Sequence, residues 1–174
     1  MATAFTKWQG CGNDFILIDD RTEGIVDPAD LAVRLCDRHY GIGADGLILV
    51  LPSGKADFRM RIFNADGSEA EMCGNGIRCF ARLVYDRGFT NKTVFTVETG
   101  AGVLRPSLIF AEGQVQAVRV DMGEPVLEAA EIPVTGFGRE RVINCPIIVL
   151  GQTYDVTCVS MGNPHQLPDR KSVV

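Results

Sequence analysis

Residues 72–88 constrain this chain more than any other stretch. Met72-Cys73-Gly74-Asn75-Gly76-Ile77-Arg78-Cys79 leads into a run in which Ile77, Phe80, Ala81 and Val84 recur at i, i+3, i+4 and i+7. That is the period of a helix with one apolar face, and Gly88 supplies its stop. The spacing predicts a helix over residues 74–87. A second, shorter helix begins at Asp27-Pro28, an N-cap followed by proline at the first helical position, and carries Leu31, Ala32, Leu35 and Cys36 on its apolar side. Gly41 and Gly43 end that region. Almost everything else reads as strand: Thr3–Gln9, Phe15–Asp19, Gly46–Leu51, Asp57–Phe63, Thr93–Thr99, Gly102–Phe110, Gln114–Asp121, Asn144–Leu150 and Thr153–Ser160. In Asp57–Phe63, Phe58, Met60 and Ile62 face one way and Arg59 and Arg61 the other. Many strands with two helices predict an α+β fold.

The 174 residues suffice for one domain and a little more. A boundary falls where the strand pattern gives way to Met122-Gly123-Glu124-Pro125. It separates residues 1–120 from residues 121–174, a second part that is marginal in size for an independent core. The net charge is −5 and no basic block occurs, which argues against a nucleic-acid partner. No apolar run exceeds about five residues, too short to span a membrane. Residues 1–20 lack a signal-peptide layout, so a cytoplasmic location is expected.

The six cysteines lie at 11, 36, 73, 79, 145 and 158. There is no Cys-x-x-Cys and there are only two histidines, so no metal cluster is expected, and a reducing compartment disfavours disulfides. Cys36, Cys79, Cys145 and Cys158 occupy apolar periodic positions and read as core; Cys11, in the Gly10-Cys11-Gly12 turn, also reads as structural. Cys73 differs. It stands at the start of the strongest helix, where unpaired N–H groups and the helix dipole stabilise a thiolate. Gly74 and Gly76 leave backbone N–H groups open to an anion such as a carboxylate. The bland alternative is a tight-packing joint. Three loops each present an asparagine: Gly12-Asn13-Asp14, Phe63-Asn64-Ala65-Asp66 and Met161-Gly162-Asn163-Pro164-His165. Loops at strand ends are where polar ligand groups are commonly read. His39 reads as structural, and His165 as ending a strand in a Gly-Asn-Pro turn.

Taken in order, these segments resemble the successive motifs of the diaminopimelate epimerase family. They are Gly10-Cys11-Gly12-Asn13-Asp14-Phe15, residues 38–46 (Arg-His-Tyr-Gly-Ile-Gly-Ala-Asp-Gly), Phe63-Asn64-Ala65-Asp66-Gly67-Ser68, the Met72–Cys79 motif, Val120-Asp121-Met122-Gly123 and Met161–His165. The resemblance implies two similar domains, each a curved mixed sheet or barrel around a central helix, with the site between them. It implies a cofactor-independent enzyme that converts LL-diaminopimelate to the meso form, serving lysine and peptidoglycan synthesis, by proton transfer between two thiols on opposite faces of the α-carbon. By the same resemblance Cys73 is one of those thiols, and His165 tunes its acidity. Asn13, Asn64, Gly74, Asn75 and Asn163 hold the small amino-acid substrate.

The chain departs from the family after His165. Residues 166–174 are polar where the family continues an apolar strand, and no second glycine-rich helix start with a catalytic cysteine follows. The expectation is therefore an incomplete second domain, an end foreign to the family such as a frameshift or cloning scar, and impaired turnover by this chain alone. Exposed strand edges of such a domain would favour self-association, as in a homodimer. At Gly46 some members place a glutamine that contacts substrate. Two other readings compete: a related racemase or isomerase of the same fold acting on another amino acid, and a non-catalytic ligand-binding or interaction domain. Proline racemases have a similar Met-Cys-Gly motif, with histidine where Asn75 stands.

Overall fold

Two strands buried on both faces organise the first part of the molecule. In β2 (Asn13–Asp19) and β3 (Gly46–Leu51), which pair in parallel, Phe15, Leu17, Ile48 and Val50 point to one side of the sheet, and Ile16, Ile18, Leu47, Leu49 and Leu51 to the other. Near-continuous apolar strands require cover on both faces, and the two helices supply it. The computed structural model describes residues 4–138, 140–161 and 164–169. The chain divides into two compact units, Met1–Asp121 and Met122–Val174.

In the first unit, β1 (Thr6–Gly10) pairs antiparallel with β2, and β4 (Phe58–Asn64) pairs antiparallel with β3. The short β5 (Glu69–Ala70) folds back on β4. On the far side, β6 (Val97–Thr99) pairs in parallel with β4 and antiparallel with β7 (Gly102–Leu104). The result is one mixed seven-stranded sheet. A separate hairpin joins β8 (Ser107–Ala111) to β9 (Gln114–Arg119).

Helix α1 (Pro28–Cys36) covers the Ile16/Leu47 face with Ala32 and Cys36. Asp27 caps it by accepting from the Asp30 N–H at 3.0 Å. Helix α2 (Gly74–Asp86) covers the opposite face. Ile77, Phe80, Ala81 and Val84 are completely buried, as the heptad-like spacing requires. Leu108 and Val115 of the β8–β9 hairpin join the same cluster, so α2 is enclosed by the sheet and the hairpin together. Phe58, Met60 and Ile62 enter this core, while Arg61 leans over the Phe63 ring and pairs with Glu69 at 2.7 Å on the other face.

Two strand expectations are corrected. The run expected over 93–99 shrinks to β6, because Val94 makes only an isolated bridge to Ser107 and Phe95 N–H turns to the Pro106 carbonyl. The run expected over 102–110 is divided into β7 and β8 at Arg105-Pro106, where proline has no N–H to give a ladder.

The second unit is a three-stranded antiparallel sheet of β10 (Cys145–Val149), β11 (Gln152–Ser160) and β12 (Pro164–Pro168). Its core gathers Ala129, Ile132, Val142, Cys145, Val156 and Cys158. β12 corrects the reading of residues 164–168 as a turn and polar tail. Backbone pairing with β11 asks nothing of side-chain polarity, and both prolines sit at the ends of an exposed strand, where a missing N–H is tolerated. His165 accordingly lies within β12, opposite Val159, and does not end a strand.

Candidate active site

Cys73 is the N-cap of α2, in extended conformation (φ −144°, ψ 118°). Its Sγ accepts a hydrogen bond from the Gly76 N–H at 3.4 Å, one of the donors a helix start leaves unpaired. Gly76 packs closely on the sheet. A Cβ there would meet the Ile48 and Ile62 Cδ1 atoms at 3.1 and 3.2 Å, so the bare backbone lets the helix start rest on the sheet. β5 returns the chain from the end of β4 and delivers residue 73 to this spot.

The β1–β2 turn reaches the same place from a distant part of the sequence. Its Gly10 packs on the first turn of α2, with the Asn75 carbonyl 3.4 Å and the Cys79 Sγ 3.5 Å from where a Cβ would stand. Asn13, the first residue of β2, thereby meets Cys73: the thiol donates to Asn13 Oδ1 at 3.6 Å. Asn75 Nδ2 donates to the same oxygen at 3.4 Å. Asn13 Nδ2 donates in turn to Asp45 Oδ2 at 2.7 Å. Arg78 Nη2 donates to Asn75 Oδ1 at 2.5 Å and to Cys11 Sγ at 3.5 Å.

A charged cluster supports Asn13 from behind. Arg38 donates to Asp14 Oδ1 at 2.7 Å and to Asp45 Oδ1 at 2.8 Å, and Lys7 lies 3.2 Å from Asp14 Oδ2. The Arg38 hydrogen bond above all, with Lys7 adding to it against the burial of the group, holds the Asp14 carboxyl well below the ordinary carboxylate range.

The structure thus brings together four of the residues expected at the site: Asn13, Cys73, Gly74 and Asn75. Asn64 ends β4 opposite Gly46, and its Nδ2 donates to Ser68 Oγ at 2.9 Å within its own loop, outside this hydrogen-bonded set. At Gly46 a Cβ would meet the Phe63 carbonyl at 2.8 Å. Asn163 lies outside the described residues, and His165 is exposed on β12 in the second unit. Cys36, Cys79, Cys145 and Cys158 are buried; burial pushes the Cys36 thiol up to about 11 and raises those of Cys79 and Cys158. Cys11 differs from these four. The glycine turn, with Cys11 at φ 55°, holds it exposed and outside any core. Asp45 and Arg78 join the site although neither is among the residues the motifs assign to it. The i, i+3 spacing of Asn75 and Arg78 on one helix was the available signal.

Fold and site together define a class. A solved structure of a probable proline racemase from Agrobacterium radiobacter superposes with a TM-score of 0.70 at 17% identity, covering 97% of this chain and 52% of that one. A hydroxyproline epimerase from Agrobacterium vitis does so at 0.65 and 16% identity, with 97% and 52% covered. The fold is the one these proteins share. Within it, the sequence model described as diaminopimelate epimerase matches residues 5–128. Diaminopimelate epimerases are 54% identical in Agathobacter rectalis (92% of this chain, 59% of the relative), 57% in Pelotomaculum thermopropionicum (92% and 58%) and 52% in Desulfovibrio desulfuricans (99% and 62%). The chain belongs to the diaminopimelate epimerase family. It spans about three fifths of the length of these curated relatives.

Proposed function

We propose that this chain carries one of the two acid/base halves of a cofactor-independent epimerase acting on diaminopimelate, with Cys73 as the proton-transferring group. The observation that carries the reading is the placement of Cys73 at the start of α2, its sulfur between the Gly76 N–H and the Asn13 carboxamide. Inverting an α-carbon removes its proton to a base on one face and returns a proton from an acid on the other. A sulfur does either job according to its protonation state. The Gly74 and Asn75 backbone N–H groups at the start of α2 supply donors for the substrate carboxylate, whose charge grows as the proton leaves, and Asn13 binds a polar group of the substrate. Asn64 and Asn163 complete the contacts to the substrate's polar groups, and His165 adjusts the acidity of the thiol. The second acid/base group belongs to a second domain that begins within residues 121–174, and the reaction takes place in the cytoplasm.

Proton exchange tests this directly. In D2O the protein is expected to wash deuterium into the α-position of diaminopimelate and not of proline, followed by ¹H NMR, and Cys73→Ala to reduce the rate by about 10²–10⁴-fold. With one mapped thiol, the 174-residue chain alone is expected to give little LL-to-meso conversion. Exchange on proline alone, or exchange that survives Cys73→Ala, would overturn the reading.

A further inference from the structure

The Asn13 carboxamide stands at the Cys73 thiol and that of Asn75 stands against Asn13, and each could present either its oxygen or its nitrogen. Their neighbours leave no such choice. Asp45 is a carboxylate and only accepts, so at 2.7 Å it can hold only the Nδ2 end of Asn13. That turns Asn13 Oδ1 toward Cys73 and Asn75. Arg78 is a guanidinium and only donates, so at 2.5 Å it can hold only the Oδ1 end of Asn75. That turns Asn75 Nδ2 toward the same Asn13 oxygen. We infer that Asp45 and Arg78 are positioning residues, an acceptor-only and a donor-only stop at the two ends of an asparagine pair, which together fix a carbonyl oxygen against the Cys73 thiol.

Neither residue touches the sulfur; each acts through an amide. Arg38 keeps Asp45 in place from the Asp14 side, and Arg78 borders the cleft that Cys11, Trp8 and β9 line on the other flank of α2. The two stops are redundant for Asn13. With Asp45 removed, Asn75 still offers Asn13 a donor and biases its oxygen inward. With Arg78 removed, Asp45 still holds Asn13 directly. Only loss of both frees Asn13 to turn its NH₂ group to the sulfur, and the S–H then loses the carbonyl oxygen that accepts it, which leaves the sulfur freer to meet an alkylating reagent. Under the epimerase reading, on which the purpose of the arrangement rests, this gives the proton of Cys73 a defined direction before substrate arrives.

The test uses the 174-residue chain with Asp45→Leu, Arg78→Met and the double variant, and with the conservative double variant Asp45→Glu with Arg78→Lys, which keeps an acceptor-only and a donor-only group. Cys73 alkylation by iodoacetamide is followed by peptide mass spectrometry. The single variants are expected to alter the rate by less than about 1.5-fold, the double to raise it about tenfold, far more than the product of the singles. The conservative double variant should stay near the parent. Independently, Arg78→Met should shift the Asn75 side-chain ¹⁵N–¹H₂ resonances and Arg78→Lys should not, with the backbone amide spectrum retained. Rates that merely multiply, a conservative double variant that behaves like the disruptive double, or unmoved Asn75 resonances in Arg78→Met would overturn the inference. Neither readout uses an amino-acid substrate, so the outcome is separate from that of the exchange experiment.

Discussion

Asp14 carries the electrostatics that hold the site's first strand in place. It faces Arg38 and Lys7, and its side chain is 18% exposed while that of Arg38 is 54% exposed. Its acidity is strengthened in the fold relative to the ordinary value of 3.8, chiefly by the Arg38 hydrogen bond. A carboxyl depressed in the folded state contributes stability above its unfolded value, and that contribution drains away as the pH falls below it. Asp14→Asn is therefore expected to cost about 1 kcal/mol at neutral pH, a low figure because solvent screens Arg38. The cost should be equal at pH 7 and pH 5 and smaller at pH 3, measured by urea unfolding at the three values; a gap that stays constant to pH 3 would contradict it. At this scale the sequence showed Cys73 clearly, because a cysteine before Gly-x-Gly and an apolar helical repeat is a local signal. It could not show that Asn13, 60 residues earlier, accepts from that thiol. That contact exists because a glycine turn packs on the first turn of α2, which is tertiary information.

The end of α1 shows how an element depends on one missing side chain. A Cβ on Gly41 would stand 2.3 Å from the Arg34 carbonyl oxygen, 2.7 Å from that of Leu35 and 2.8 Å from that of Asp37. All three are backbone atoms, so no rotamer change relieves the overlap, and the loop that carries Arg38 and Asp45 must move. Gly41→Ala is expected to destabilise the protein by about 3 kcal/mol. Gly54→Ala, where nothing lies within 4 Å, should change stability by less than about 0.5 kcal/mol. Chemical denaturation of the pair checks this, and similar midpoints for the two would refute the packing argument. The elements read best from the sequence were those with a cap or a period of their own: α1 with Asp27-Pro28, α2 with its buried stripe, and β3 and β4. Those misread depended on partners. β6 is short because its neighbour leaves the sheet at Pro106, and β12 forms because β11 offers an edge. Neither cause is written in the segment concerned.

The molecule as a whole distributes its thiols as reporters of two unequal cores. Cys36 and Cys79 are buried in the first unit, one on each face of the central sheet, among clusters that include Leu47, Leu49, Ile77 and Phe80. Cys145 and Cys158 are buried in the second unit, whose core is a single small cluster around Ile132, Val142 and Val156. Cys11 is exposed and Cys73 half-buried. In water a small alkylating reagent should therefore modify Cys11 and Cys73 and spare the other four. Stability grows with the apolar surface a unit can enclose, and a unit the size of Met122–Val174 encloses little. As urea is raised, Cys145 and Cys158 should become reactive before Cys36 and Cys79, by at least about 1 M given a slope of 1–3 kcal/mol per molar. Pulsed labelling with peptide mass spectrometry reads each thiol separately. A common midpoint for all four would mean that the two cores unfold as one, and that the smaller sheet draws on stability its own packing does not supply.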